Sequence, residues 1–187
     1  MRAILICLSL LMAGSAMAQS GHGSMGHGVM GHGHGADGTG HDMVNMPGLR
    51  GKDATPEESA EMAEMFRYFA LIERDVENLP NGIRATTRTE DEALATALIS
   101  HITGMIARVE EGRDPQVFIQ SPTLDILFER RDAIVTEIEA IDGGLIVTQT
   151  SDDPEVVAAL HTHAAEVSDM ALRGMDAVHE RMMKTNH

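Results

Sequence analysis

The 187-residue sequence predicts a mainly helical α+β domain. A helix–strand–helix unit is written twice, and its four helices pack about a pseudo-twofold axis around a small two-stranded antiparallel sheet. Two observations lead to this reading. Identical residues recur at one offset: Phe66 and Phe128, Gly82 and Gly144, Leu98 and Leu160, His101 and His163, and Gly112 and Gly174 are each 62 residues apart. In both halves, apolar residues at helical spacing give way at the same point to a turn and a short strand-forming run. One unit cannot bury its apolar face alone, so two must pack together.

The elements follow in order. Thr55-Pro-Glu-Glu58 combines a capping box with Pro at the first helical position, which opens a helix. Met62, Met65, Phe66, Phe69, Ile72 and Val76 keep helical spacing and carry that helix to about Asn78. Leu79-Pro-Asn-Gly82 is a turn. The Thr-rich run Ile83 to Thr89 is a short strand. Thr89-Glu-Asp-Glu92 reads as a second capping box. The helix after it places Leu94, Leu98, Ile102, Met105 and Val109 inward and ends at Gly112-Arg-Asp-Pro115. Pro115 and Pro122 mark a linker. A third helix runs from about Thr123 to Ile141, with Leu124, Leu127, Phe128, Ile134 and Ile138 inward. Gly143-Gly144 makes the turn, and Leu145 to Thr150 is the second strand. Asp153 with Pro154 opens the fourth helix, which is expected to pass through Gly174 to about Met183. The repeats therefore span about 55–114 and 122–183 within a domain at 55–183. Two strands leave edges exposed, which allows a homodimer that extends the sheet.

Residues 1–18 have the layout of a signal peptide. Arg2 is the positive start, Ala3 to Met12 is an apolar run too short to span a bilayer, and Ala16-Met-Ala18 is a cleavage pattern. The mature chain is then expected in the periplasm, with no stable membrane insertion after cleavage. Cys7 is the only cysteine and leaves with that segment, which excludes an internal disulfide and c-type haem attachment. The formal charge of −15 argues against nucleic acid and anionic lipid as partners and is compatible with metal ions.

Residues 19–54 form a tail with a Gly-His-Gly-x-Met period. Five of the ten His fall between His22 and His41. So much Gly with so few branched apolar residues predicts disorder without a ligand. Imidazoles (His22, His27, His32, His34, His41) alternate with thioethers (Met25, Met30, Met43, Met46). Imidazole suits copper, nickel and zinc, and thioether selects Cu(I). Copper, as Cu(I) or Cu(II), is thus the first candidate, with nickel or zinc behind it.

Inside the domain, His101 follows Leu98 by three and precedes Met105 by four. His163 follows Leu160 by three and precedes Met170 on the same stripe. Under a pseudo-twofold, His101, Met105, His163 and Met170 can approach one another as a soft nitrogen–sulfur site. A histidine on an apolar face is also common as a hydrogen-bonded core residue, so both readings stay open here. His161 points about a quarter-turn away. No nucleophile elbow, zinc-protease helix or phosphate loop is present, and no carboxylate pair stands out, so the sequence does not predict an enzyme. The functional expectation is a periplasmic metal-binding protein that buffers or chaperones copper. The alternative is a metal-independent interaction module for a protein partner, with the tail as spacer.

Leu79-Pro-Asn-Gly-Ile83, Met105-Ile-Ala-Arg-Val-Glu-Glu-Gly112 and Thr150-Ser-Asp-Asp-Pro-Glu155 resemble strings of a family of secreted bacterial proteins of uncharacterised function. The likeness covers about residues 43–183 and implies a shared fold but no activity. In composition the tail is similar to the His/Met-rich segments of periplasmic copper-resistance and copper-chaperone proteins, which implies copper as cargo.

Overall fold

The structure is a computed structural model that describes residues 51–117 and 119–185. The expected signal peptide and the His/Met sites from His22 to Met46 lie outside the described residues.

The capping box at Thr55 forms: the Glu58 N–H donates to Thr55 Oγ1 at 3.2 Å and the Thr55 N–H donates to Glu58 Oε2 at 2.7 Å. It opens α1 (Pro56–Arg67). After a 3-10 turn at Phe69–Leu71 come β1 (Glu73–Leu79), β2 (Gly82–Arg88) and α2 (Glu92–Glu111). The second half is α3 (Pro122–Glu129), a 3-10 turn at Arg131–Ala133, β3 (Val135–Ile141), β4 (Gly144–Thr150) and α4 (Pro154–Arg173), followed by α5 (Met175–Thr185). From the 3-10 turns to the ends of α2 and α4, every element repeats after 62 residues.

The expectation of four helices and a two-stranded sheet is overturned: the described residues form five α-helices and a four-stranded antiparallel sheet in the order β1-β2-β4-β3. Its edge strands occupy the segments where the first and third helices were expected to end. The physical reason lies in the spacing. Ile72 and Val76, like Ile134 and Ile138, are four apart, a separation that shares one face in a helix and in a strand alike. The residue that would have revealed the period of two is polar in each case, Arg74 or Thr136. No Gly or Pro marks the ends of α1 and α3, where Tyr68 and Arg130 are the C-caps.

Two further corrections concern helix ends. Asp91, not Thr89, is the N-cap of α2: its Oδ1 accepts the Leu94 N–H at 2.9 Å, and Thr89 Oγ1 accepts the Asp91 N–H at 3.3 Å. Asp153 and Ser151 repeat the arrangement at α4, at 2.9 and 3.0 Å. The fourth helix does not continue to Met183. Gly174 has φ +58°, a non-helical conformation at which α4 ends and after which α5 begins; a Cβ there would also lie 2.7 Å from the Phe69 ring. The counterpart Gly112, at φ +68°, faces Arg131, the counterpart of Phe69.

β2 and β4 form the seam between the halves. Ala85 pairs with Val147, its own counterpart, so the pseudo-twofold passes through that pair. Ile83, Ala85, Thr87, Leu145 and Val147 are buried on the inner face of the sheet. α4 lies over β1 and β2, and α2 lies against β4. The outer face is polar, with Arg88 paired to Glu73 at 2.6 Å and Arg84 to Glu139 at 3.5 Å. One apolar cluster joins Ile83 to Leu127, Val156, Leu160 and Ala164. Another joins Ala63 and Phe66 of α1 to Val117, Ile119, Met175 and Val178. No helix among the described residues is long and apolar enough to cross a membrane.

Arg108, 2 % exposed, anchors the start of the domain. Its Nε and Nη2 meet the Glu58 carboxylate at 2.6 and 2.8 Å, Nη1 meets Asp53 Oδ1 at 2.8 Å, and the Asp53 and Arg113 carbonyls accept at 3.1 and 3.2 Å. All five guanidinium donors are thus matched. Glu58 serves the helix cap and the arginine at once. The arginine's hydrogen bonds are the main reason its carboxyl is held down to about 2.

Candidate functional site

Between α2 and α4, above the sheet, lies a cavity of about 300 Å³. Ala85 and Val147 belong to its floor, so it sits on the pseudo-twofold. Its walls are mostly apolar, with thioethers from Met62, Met65, Met105 and Met170. His101 and His163 both line it, because α2 and α4 present equivalent faces to the sheet. The structure therefore brings His101, Met105, His163 and Met170 into one cavity.

Among the described residues no three His, Cys, Asp or Glu side chains converge closely enough to hold a metal ion. The two rings also feel different charges: His101 feels the Glu58 carboxylate, and His163 feels the guanidinium groups of Arg74 and Arg181. His101 thus lies nearer a carboxylate that is itself paired with Arg108, and His163 lies at the end that carries the two guanidinium groups, the positive end.

Each ring keeps part of its surface accessible, and both border the cavity. Desolvation by burial is the main cause that lowers both from the usual 6.5 to about 4. For His163 the two arginines add to it, and for His101 Glu58 opposes it. Both imidazoles are therefore neutral at pH 7, the form that ligates metals. As the pH falls, the unfolded chain takes up protons near 6.5, before the folded rings do near 4. Stability should be complete above pH 6.5 and decline between 6.5 and 4. The Glu58 contribution is lost in a different window, between 4.5 and about 2. Thermal melts across the upper window should show a falling Tm, with a shallower slope in His163→Gln. A Tm that stays level from pH 6.5 to 4.5 in the unaltered protein would contradict the account.

His161, the weaker candidate, has another task. Its Nε2 lies 3.1 Å from the Leu79 carbonyl and 2.8 Å from that of Gly82. Both are acceptors, so Nε2 carries the proton and donates, tying α4 to the β1–β2 turn.

Three polar side chains of the cavity wall are absent from the sequence-based expectation. Arg74 comes from β1; its Nε donates to Ser168 Oγ at 3.3 Å and its Nη1 to Thr87 Oγ1 at 2.5 Å. Glu166 accepts from Ser121 Oγ at 2.7 Å, and its Oε2 is buried with no hydrogen-bond partner among the described residues. Arg181 of α5 donates to the Ile119 carbonyl at 2.5 Å. The signals are present in the chain: Arg74 alternates with Ile72 and Val76, and Glu166 follows His163 by one helical turn. A helical reading of 72–78 hides the first of them.

No protein-family model matches the chain, and no curated protein or solved structure is significantly similar to it. The chemistry of the cavity and of the amino-terminal segment must carry the functional argument.

Proposed function

We propose that this is an exported copper-handling protein, a periplasmic buffer or chaperone whose amino-terminal segment captures the ion. One observation carries the reading. Nine imidazoles and thioethers (His22, Met25, His27, Met30, His32, His34, His41, Met43 and Met46) are interleaved with Gly directly after a signal-peptide pattern, in a chain whose only thiol lies within that pattern. Nitrogen and thioether donors without thiolate suit copper in an oxidising compartment.

The folded domain supports the reading as a second seat. His101 and the thioethers of Met62, Met65 and Met105 border the cavity from neighbouring helices, α1 and α2, which touch where Ser100 Oγ donates to Glu61 Oε1 at 2.6 Å. Burial keeps that imidazole neutral, the form that ligates metals. The thioethers around His101 favour Cu(I) over zinc or nickel, and the guanidinium groups of Arg74 and Arg181 lie near His163 instead. At the opposite end, His163 and Met170 face those cations and are the poorer donors.

Competitive Cu(I) titration of the mature chain should give more than one equivalent, and deletion of residues 19–47 should remove most of that capacity. Within the truncated protein, His101→Ala should weaken what binding is left. Equal stoichiometry for the full and truncated chains would refute the capture role.

A further inference from the structure

The positive end of the cavity has a chemistry that a metal ion does not explain. Arg74 and Arg108 provide an internal contrast. Every N–H of Arg108 meets an acceptor, and two carboxylates balance its charge. Arg74 uses two donors on the hydroxyls of Thr87 and Ser168. No carboxylate of the described residues lies within ion-pairing distance of it. Desolvation draws its guanidinium down to about 10, whereas the carboxylates of Arg108 push that group up. Arg74 is half-buried, so its charge has lost part of its hydration without gaining a counter-ion, a loss that an anion compensates.

The unused part of Arg74 is one N–H of Nη1 and both of Nη2, the fork that grips a carboxylate with two parallel hydrogen bonds. Around it the wall is apolar: Phe69, Ile72, Val167 and Met170 border the same cavity. The His163 ring beside it is neutral and can donate one hydrogen bond. The charged groups of the wall are Arg74, Arg181 and Glu166; Arg181 has partners of its own, which leaves Arg74 as the cation that a single negative charge would answer. Glu166, with its unmatched Oε2, opposes a second one. The volume of about 300 Å³ lies at the small end of the range for ligand sites.

We propose that this end of the cavity binds a monoanionic carboxylate with an apolar body, a medium-chain fatty acid, with its head group on the free fork of Arg74 and its chain among Phe69, Ile72, Val167 and Met170. The site is independent of the copper reading and is tested on metal-free protein.

The probe is decanoate, below its micelle concentration, titrated calorimetrically into the full mature chain, with 1-decanol as the neutral comparison. One saturable equivalent of decanoate is expected, bound at least about tenfold more tightly than decanol, because the alcohol can accept only one of the two parallel hydrogen bonds and carries no charge to pair with the guanidinium. Arg74→Gln should remove that preference and leave decanol binding unchanged. Equal affinity for acid and alcohol in the unaltered protein would overturn the proposal without any need for the variant to fold. So would a lack of saturable decanoate binding, or an Arg74→Gln protein that retains the preference.

Discussion

Replacing Arg108 by Met should destabilise the domain by about 3 kcal/mol, at the lower end of the cost of breaking a buried ion pair. The substitution is chosen from the repeat itself, because Met170 occupies the equivalent position 62 residues later. The side chain of Arg108 is 3 % exposed, while those of Glu58 and Asp53 are 32 % and 47 % exposed. The stranded carboxylates can recover part of their hydration, which keeps the loss near the lower bound. The effect should be local in origin. Asp53 and Glu58 tie residues 51–58 to α2, so the first turn of α1 and the segment before it lose their anchor. Urea unfolding measures the loss, and Glu58→Gln should reproduce only part of it, since Asp53 and two carbonyls still hold the guanidinium. A change below about 0.5 kcal/mol in Arg108→Met would mean that the network behaves like a surface pair.

A comparable loss, about 3 kcal/mol, is expected for Gly144→Ala, through overpacking against backbone that cannot move aside. A Cβ on Gly144 would fall on the Thr87 carbonyl oxygen and within 2.8 Å of Arg88. Its counterpart Gly82 faces the Gln149 carbonyl in the same way. Both positions lie on the β2–β4 seam, the only strand pairing between the halves among the described residues, so strain there opposes the union of the repeats. Gly104 is the matched control. It lies inside α2, and a methyl group added there would have nothing within 4 Å, so Gly104→Ala should stabilise by roughly 0.5–1 kcal/mol through helix propensity. Chemical denaturation of the two variants side by side checks the opposite signs. A neutral Gly144→Ala would contradict the close approach of β2 and β4 at this seam.

The parts of the fold legible in the sequence were those set by local chemistry. Thr55 with Glu58, and Asp153 with Pro154, announce helix starts because their side chains satisfy amides a few residues away. The hairpin partners β1 and β3 were not legible, because an edge strand with a polar inward residue keeps only an i, i+4 apolar pair, which a helix also shows. Gly174 reads as a residue inside the helix; its φ of +58° ends α4 there, and the reason that glycine is needed, the Phe69 ring where a Cβ would lie, is a contact across the fold. In the cavity, the pairing of His101 with His163 was readable because the repeat preserves both. Arg74 was not legible as a cavity residue, because it reaches the wall from a strand in a segment that reads as a helix.

The central claim, that the exported chain carries copper, is met most directly by elemental analysis of the protein isolated from its native compartment without chelators. The account predicts copper in excess of zinc and nickel, at one equivalent or more per chain, falling sharply when residues 19–47 are deleted. Material free of transition metals that also fails to take up copper when it is supplied would contradict it.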